Sequence, residues 1–286
     1  MLTYFQGIVL GILQGVSELF PISSLGHSVI LPQILGWRLD QKSPFFLMFL
    51  VATHTATAFV LLLLFRKDWV RIVSGFFRSV KDRKVKESDI DARLAWLLII
   101  GTIPAGLVGL TFKHFIRDHL LSGYFAAIFL TLNGIMLFGA DILRRKAPRT
   151  DVSDSDERIS KISWWQSFKV GLMQVLALMP GFSRTGSTIA GSLLVGLSHE
   201  DSVRFSFLLS TPIIAAAAAL ELPKLIASGD FSAIGVSLVG GLCAALFSFL
   251  SVKVLTAYFS NEARKLTPFA LYCVVAGGAS LLYFLH

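Results

Sequence analysis

Apolar runs about as long as a membrane-crossing helix alternate with short charged stretches along this chain, and two further runs are broken by polar residues. Six runs are continuous: Phe45–Phe65, Leu94–Phe112, Leu120–Ala140, Phe205–Leu220, Phe231–Val252 and Leu266–Leu285. Each comes close to the ~20 residues that a spanning helix needs. Pro104 and Pro212 predict kinks within two of them. The broken runs are residues 1–37 and 166–197. The first carries Glu18, Pro21 and His27 in its middle, and the second breaks at Pro180-Gly181 ahead of Ser183 and Arg184. Their halves are marginal as separate spans, and non-helical backbone at membrane depth is tolerated only inside protein or beside a cavity. The pattern therefore predicts an all-α polytopic membrane protein with six full transmembrane helices and two re-entrant helical hairpins.

Composition agrees. The chain is 54% hydrophobic and 15% charged, against roughly 25% charged residues in a soluble domain. No basic segment precedes the first apolar run, so no cleavable signal is expected there. Cys243 and Cys273 both fall in apolar segments and are expected as buried thiols rather than a disulfide. The net charge of +8 raises the question of nucleic acid, but its distribution answers it. If both hairpins return to their own side, 20 of the 26 Lys/Arg lie on one face. Five (Arg38, Lys42, Lys113, Arg117 and Lys224) lie on the other, and Arg184 alone is left inside. The rich side is cytoplasmic by the positive-inside rule, which sends the N- and C-termini outward. The partner read from this charge is a bilayer, with no nucleic acid.

The hairpins then enter from opposite faces. Gly11/Gln14 and Gly171/Gln174 share a Gly-x-x-Gln pattern, followed by Pro-x-x-Ser at Pro21/Ser24 and Pro180/Ser183, the second copy being one residue shorter before its proline. This predicts an inverted-topology repeat with broken helices meeting near the midplane. Residues 1–143 form the first repeat, 144–163 a cytoplasmic linker and 164–286 the second, all within one membrane domain.

A guanidinium inside a membrane hairpin costs at least ~2.5 kcal/mol, so Arg184 marks function or a buried pair with Glu18; the two readings are compatible. Its planar donors suit phosphate. Ser23, Ser24 and Ser183 stand where helices restart, as N-caps or as ligands of an anion at two helix N-termini. Ser24 and His27 share a helical face, so an imidazole could take the hydroxyl proton. Glu18 follows Gln14 by one turn and could orient His27, act as a base or ligate a divalent cation. His54 is the polar exception in its span, as a helix–helix bond or a site residue. No Walker loop, Gly-x-Ser-x-Gly, His-Glu-x-x-His or Cys/His metal pattern occurs.

The motifs Gln14-x-x-x-Glu18, Pro21-Ile-Ser-Ser-Leu-Gly-His27 and Pro180-Gly-Phe-Ser-Arg-Thr-Gly-Ser-Thr188 resemble those of the bacterial undecaprenyl-pyrophosphate phosphatase family linked to bacitracin resistance. The likeness extends through the segment around His54 to Thr267-Pro-Phe and Tyr272; Leu25 and Cys273 depart from it, standing where Thr and Arg are usual. The resemblance implies removal of the terminal phosphate of undecaprenyl pyrophosphate at the outer face of the bacterial inner membrane, which recycles the lipid carrier of wall synthesis. It implies catalytic roles for Glu18, Ser24, His27 and Arg184, with Ser24 or His27 as the nucleophile. Substrate contacts are expected at Gln14, Ser23, Gly26, His54, Ser183, Thr185, Gly186 and Thr188. A divalent cation, Mg²⁺ or Ca²⁺ with Glu18 as ligand, is expected, and a second copy of the chain is a candidate partner. The rival reading is a transporter or flippase of a polyprenyl phosphate lipid.

Overall fold

The computed structural model describes residues 2–143, 154–227, 233–261 and 264–286 of the chain. The first ten residues of the expected linker and Phe231, expected to open the fifth span, lie outside them, as do the side chains of Lys113 and Lys224. Among the described residues there are helices and no strands.

Six helices are long and apolar enough to cross a membrane: α3 (Pro44–Leu64), most of α5 (Ile90–Phe115), α6 (Gly123–Leu143), most of α10 (His199–Ala227), α11 (Ile234–Phe259) and α12 (Thr267–Leu285). Their boundaries follow local chemistry. Ser43 caps α3 and Pro44 fills its first turn, where a missing N–H has no cost. α5 runs three residues past the expected span and ends in a π-helical turn over Ile116–Leu120, so the short link expected there is largely helical. α10 likewise starts in the polar stretch at His199.

The two broken runs form helix pairs. α1 (Tyr4–Ser17) stops four residues before Pro21, and α2 (Ser24–Ile34) starts after it. α8 (Trp164–Val175) passes through a 3₁₀ turn at Leu176–Leu178 before the break, and α9 (Arg184–Leu194) follows. The outer helix of each pair opens with the same device, a capping box, at Thr3/Gln6 and at Ser163/Gln166.

Close packing is carried by small residues, as expected where lipid supplies no hydrophobic drive between helices. A Cβ on Gly15 would lie 2.9 Å from Ser248 N of α11, and one on Gly171 would lie 2.9 Å from Pro104 of α5. α1 thus seats on α11 and α8 on α5. Of the two thiols, Cys273 is buried and Cys243 is only half-buried; both are free.

The expected charged loop over 66–93 contains a helix, α4 (Arg66–Asp82), with Ile72, Gly75 and Ser79 buried on one side. Arg71 and Arg78, two turns apart, both reach Asp91 at the start of α5. Beside it, short helix α7 (Ser155–Ser160) places Asp156 between Arg71 at 2.9 Å and Arg204 at 2.7 Å. The Asp156 carboxyl would be raised by burial, but Arg204 and Arg71 outweigh that and hold it below the usual carboxylate range.

Candidate active site

The two breaks meet. A Cβ added to Gly26, in the first turn of α2, would lie 2.8 Å from the Cα of Gly181. Gly181 has φ +115°, a conformation that side chains rarely adopt, and this lets the second break turn tightly against α6.

Around that contact, residues far apart in sequence form one polar cluster. The Glu18 carboxylate is the hub. Its Oε1 accepts from Arg184 Nη2 at 2.7 Å. Its Oε2 accepts from Ser24 Oγ at 2.5 Å and Gln14 Nε2 at 3.1 Å, with His54 Nε2 at 3.3 Å. Glu18 is 6% exposed, so these donors replace nearly all of its water. Arg184 also donates through Nη1 to Ser210 of α10, and His54 Nδ1 lies 2.8 Å from the Leu50 carbonyl, which fixes its ring.

Helix starts position these groups. Ser23 caps α2 by accepting from Gly26 N, and Ser183 caps α9 by accepting from Gly186 N. Ser23 sits at φ +69°, which turns the chain so that Ser24 faces Glu18. Thr185 donates to the Glu18 carbonyl at 2.8 Å, and Thr188 pairs with Ser206 at 2.6 Å, fastening α9 to the first break and to α10. Two helix N-termini therefore face the guanidinium–carboxylate pair, with positive dipole ends and free amides suited to an anion.

The cluster opens into a cavity of about 450 Å³ lined by Glu18, Ser23, Ser24, His54, Ser183 and Arg184. Its remaining wall is mostly apolar, including Leu50, Val51, Leu178, Ile213 and Ala217. Such a space can hold a charged group at one end and a hydrocarbon along the rest.

Of the residues expected in the site, Gln14, Glu18, Ser24, His54 and Arg184 come together, while Ser23, Gly26, Ser183, Thr185, Gly186 and Thr188 build the turns around them. His27 is placed differently. Its Nδ1 lies 2.6 Å from the Ser23 carbonyl and its Nε2 2.8 Å from the Tyr272 hydroxyl, with the two rings stacked. It does not bond to Ser24. Ser210 and Asn133 were not anticipated. For Ser210 a signal exists, since Ser202, Ser206 and Ser210 recur every four residues along one face of an apolar span.

Spanning helices around an enclosed carboxylate, hydroxyl and guanidinium make this an integral membrane protein with a polar cluster at one end of a largely apolar cavity. The family model for bacitracin resistance protein BacA matches residues 7–279, and the chain belongs to that family. It is 45% identical to undecaprenyl-diphosphatase of Mycolicibacterium paratuberculosis, over 99% of this chain and 97% of that one. Undecaprenyl-diphosphatase 2 of Burkholderia thailandensis is 44% identical over 97% and 96%, and that of Chromobacterium violaceum 41% over 97% and 98%.

Proposed function

We propose that this protein is an undecaprenyl-diphosphatase, hydrolysing undecaprenyl pyrophosphate to undecaprenyl phosphate and inorganic phosphate. The observation that carries the reading is the Ser24–Glu18–Arg184 arrangement at the charged end of an apolar cavity. Membership of the BacA family and the similarity to undecaprenyl-diphosphatases agree with it.

The contacts support the following reaction. Ser24 Oγ attacks the terminal phosphorus while its proton passes to Glu18 Oε2, its hydrogen-bond acceptor. The bond between that phosphorus and the bridging oxygen breaks, and undecaprenyl phosphate leaves. Arg184 exchanges part of its contact with Glu18 for the phosphoryl oxygens, joined by the first amides of α9. Water then attacks the phosphoserine phosphorus, the phosphorus–Oγ bond breaks, Glu18 returns its proton to Ser24 Oγ, and the water's oxygen and protons leave with the phosphate. His27 reaches the reacting atoms in this scheme only by giving up Tyr272.

The expected divalent cation does not fit a protein cage. Both Glu18 oxygens are occupied by four donors, and among the described residues no group of three His, Cys, Asp or Glu could hold a metal. A cation used here would be carried on the pyrophosphate oxygens of the lipid, and no step above depends on it.

The α1–α2 and α8–α9 pairs are read as re-entrant hairpins inserted from opposite faces of the bacterial inner membrane. Supporting this are their matching capping boxes, their shared Gly-x-x-Gln, and the crossed seating of α1 on α11 and α8 on α5. The termini face outward, and the site works on lipid at the outer face, recycling the carrier for wall synthesis and conferring bacitracin resistance.

Purified protein with a polyprenyl pyrophosphate tests the proposal. Release of phosphate that disappears in Ser24→Ala and Arg184→Ala supports it. Uptake of the lipid into vesicles without phosphate release overturns it in favour of a transporter.

A further inference from the structure

Asn133 is a fully buried amide in the middle of the α6 span, and it belongs to none of the motifs discussed above. A polar side chain there is costly unless every one of its groups is bonded. All are. Its Oδ1 accepts from the Ser183 backbone N–H at 3.0 Å. Its Nδ2 donates to the Pro21 carbonyl at 3.0 Å and to Cys273 Sγ at 3.3 Å. The first bond holds the second break and the next holds the first break, so one amide spans both. Packing makes the site tight: a Cβ on Gly186 would lie 3.3 Å from Asn133 Oδ1.

Ser183 and Pro21 each adjoin working residues. Ser183 immediately precedes Arg184 and caps its helix. Pro21 lies between Glu18 and Ser24. The amide is the right group because it accepts through one atom and donates twice through another, whereas a hydroxyl has a single O–H to give, a thiol bonds weakly and an apolar side chain does neither.

We propose that Asn133 is a positioning residue that sets the spacing between Ser24 and Arg184 by tying the two breaks to one rigid helix. It touches no reacting atom. Its removal lets the breaks drift apart without emptying the cavity, so substrate still binds and the chemical step slows. Misplacement by about 1 Å costs on the order of 100-fold in rate, and a drop of 10- to 100-fold in kcat with KM within about threefold is the expected size.

Asn133→Leu and Asn133→Asp in detergent-purified full-length protein test this. A carboxylic acid accepts through one oxygen and donates through its O–H, reproducing the bonds to Ser183 and Pro21 though not the one to Cys273; a carboxylate cannot donate to Pro21. Asn133→Asp should therefore regain kcat relative to wild type as pH falls, while Asn133→Leu stays low at every pH. Hydrogen–deuterium exchange should quicken in the segments around residues 19–24 and 180–186 of the leucine variant and stay unchanged in the spanning helices. Wild-type kcat in Asn133→Leu, or a parallel pH response of both variants, overturns the inference. The activity readout rests on the proposed phosphatase, but the exchange readout does not. If wild type releases no phosphate while exchange responds as stated, that reading fails and this one stands; unaltered exchange in the breaks overturns this one alone.

Discussion

Arg184 Nη2 lies 2.7 Å from Glu18 Oε1, although 166 residues separate them. The guanidinium comes from the start of α9 and the carboxylate from the end of α1, so the pair exists only when both breaks are in place. Glu18 is 6% and Arg184 13% exposed, so each charge leans on the other more than on water.

Breaking that pair should therefore affect folding as well as activity. Arg184→Ala strands a carboxylate that is 6% exposed, and losing one partner of a buried pair costs about 3–5 kcal/mol. Arg184→Ala in a Glu18→Gln background should recover much of the thermal stability while remaining inactive. A double-mutant cycle on unfolding temperature and phosphate release checks both.

Ser24→Ala should keep the fold and lose the reaction, since it removes the proposed nucleophile and one of four donors to Glu18. Losses on the order of 10⁴-fold or more are typical for a nucleophile. Ser23→Ala is a different experiment. It removes a helix cap worth about 1 kcal/mol, and Ser23→Gly, which suits φ +69°, should be milder. Thermal unfolding beside turnover separates the neighbours.

Gly26→Ala and Gly181→Ala should each be inactivating for want of space. The added methyl in the first would meet the Gly181 backbone at 2.8 Å, and in the second the Leu130 amide at 2.7 Å. The first forces the two breaks apart and the second forces the second break away from α6, so lower turnover should accompany a lower unfolding temperature in each. Gly139→Ala is the control, since nothing lies within 4 Å of its Cβ position.

Acid should loosen the charged side of the molecule through Asp156. Its carboxyl is held below its usual value in the fold, so its stabilising effect is present above the ordinary carboxylate pKa of about 4 and is lost as pH falls further. Unfolding temperature should drop over that range in wild type and change less in Asp156→Asn, whose starting stability is lower.

The spans and the two breaks were readable because charges and prolines stand out in apolar sequence. Glu18 and Arg184 were conspicuous for the energy that burying them demands. Other features were not readable. The nine cations and five acids of residues 66–93 concealed α4, whose buried side is only Ile72, Gly75 and Ser79. Asn133 is the one amide in an apolar span, with nothing local to name its partners. For His27, helical spacing put the ring on the Ser24 face, but that spacing cannot reveal a tyrosine 245 residues away that draws it aside.

The meeting of Gly26 with Gly181 bears on ancestry. One half of the chain supplies the hydroxyl and the carboxylate, the other the guanidinium, and neither alone holds a complete set. A forebear holding only one half could have worked only by pairing with a second polypeptide that supplied the other, so fusion would have made permanent what had been an encounter between two molecules.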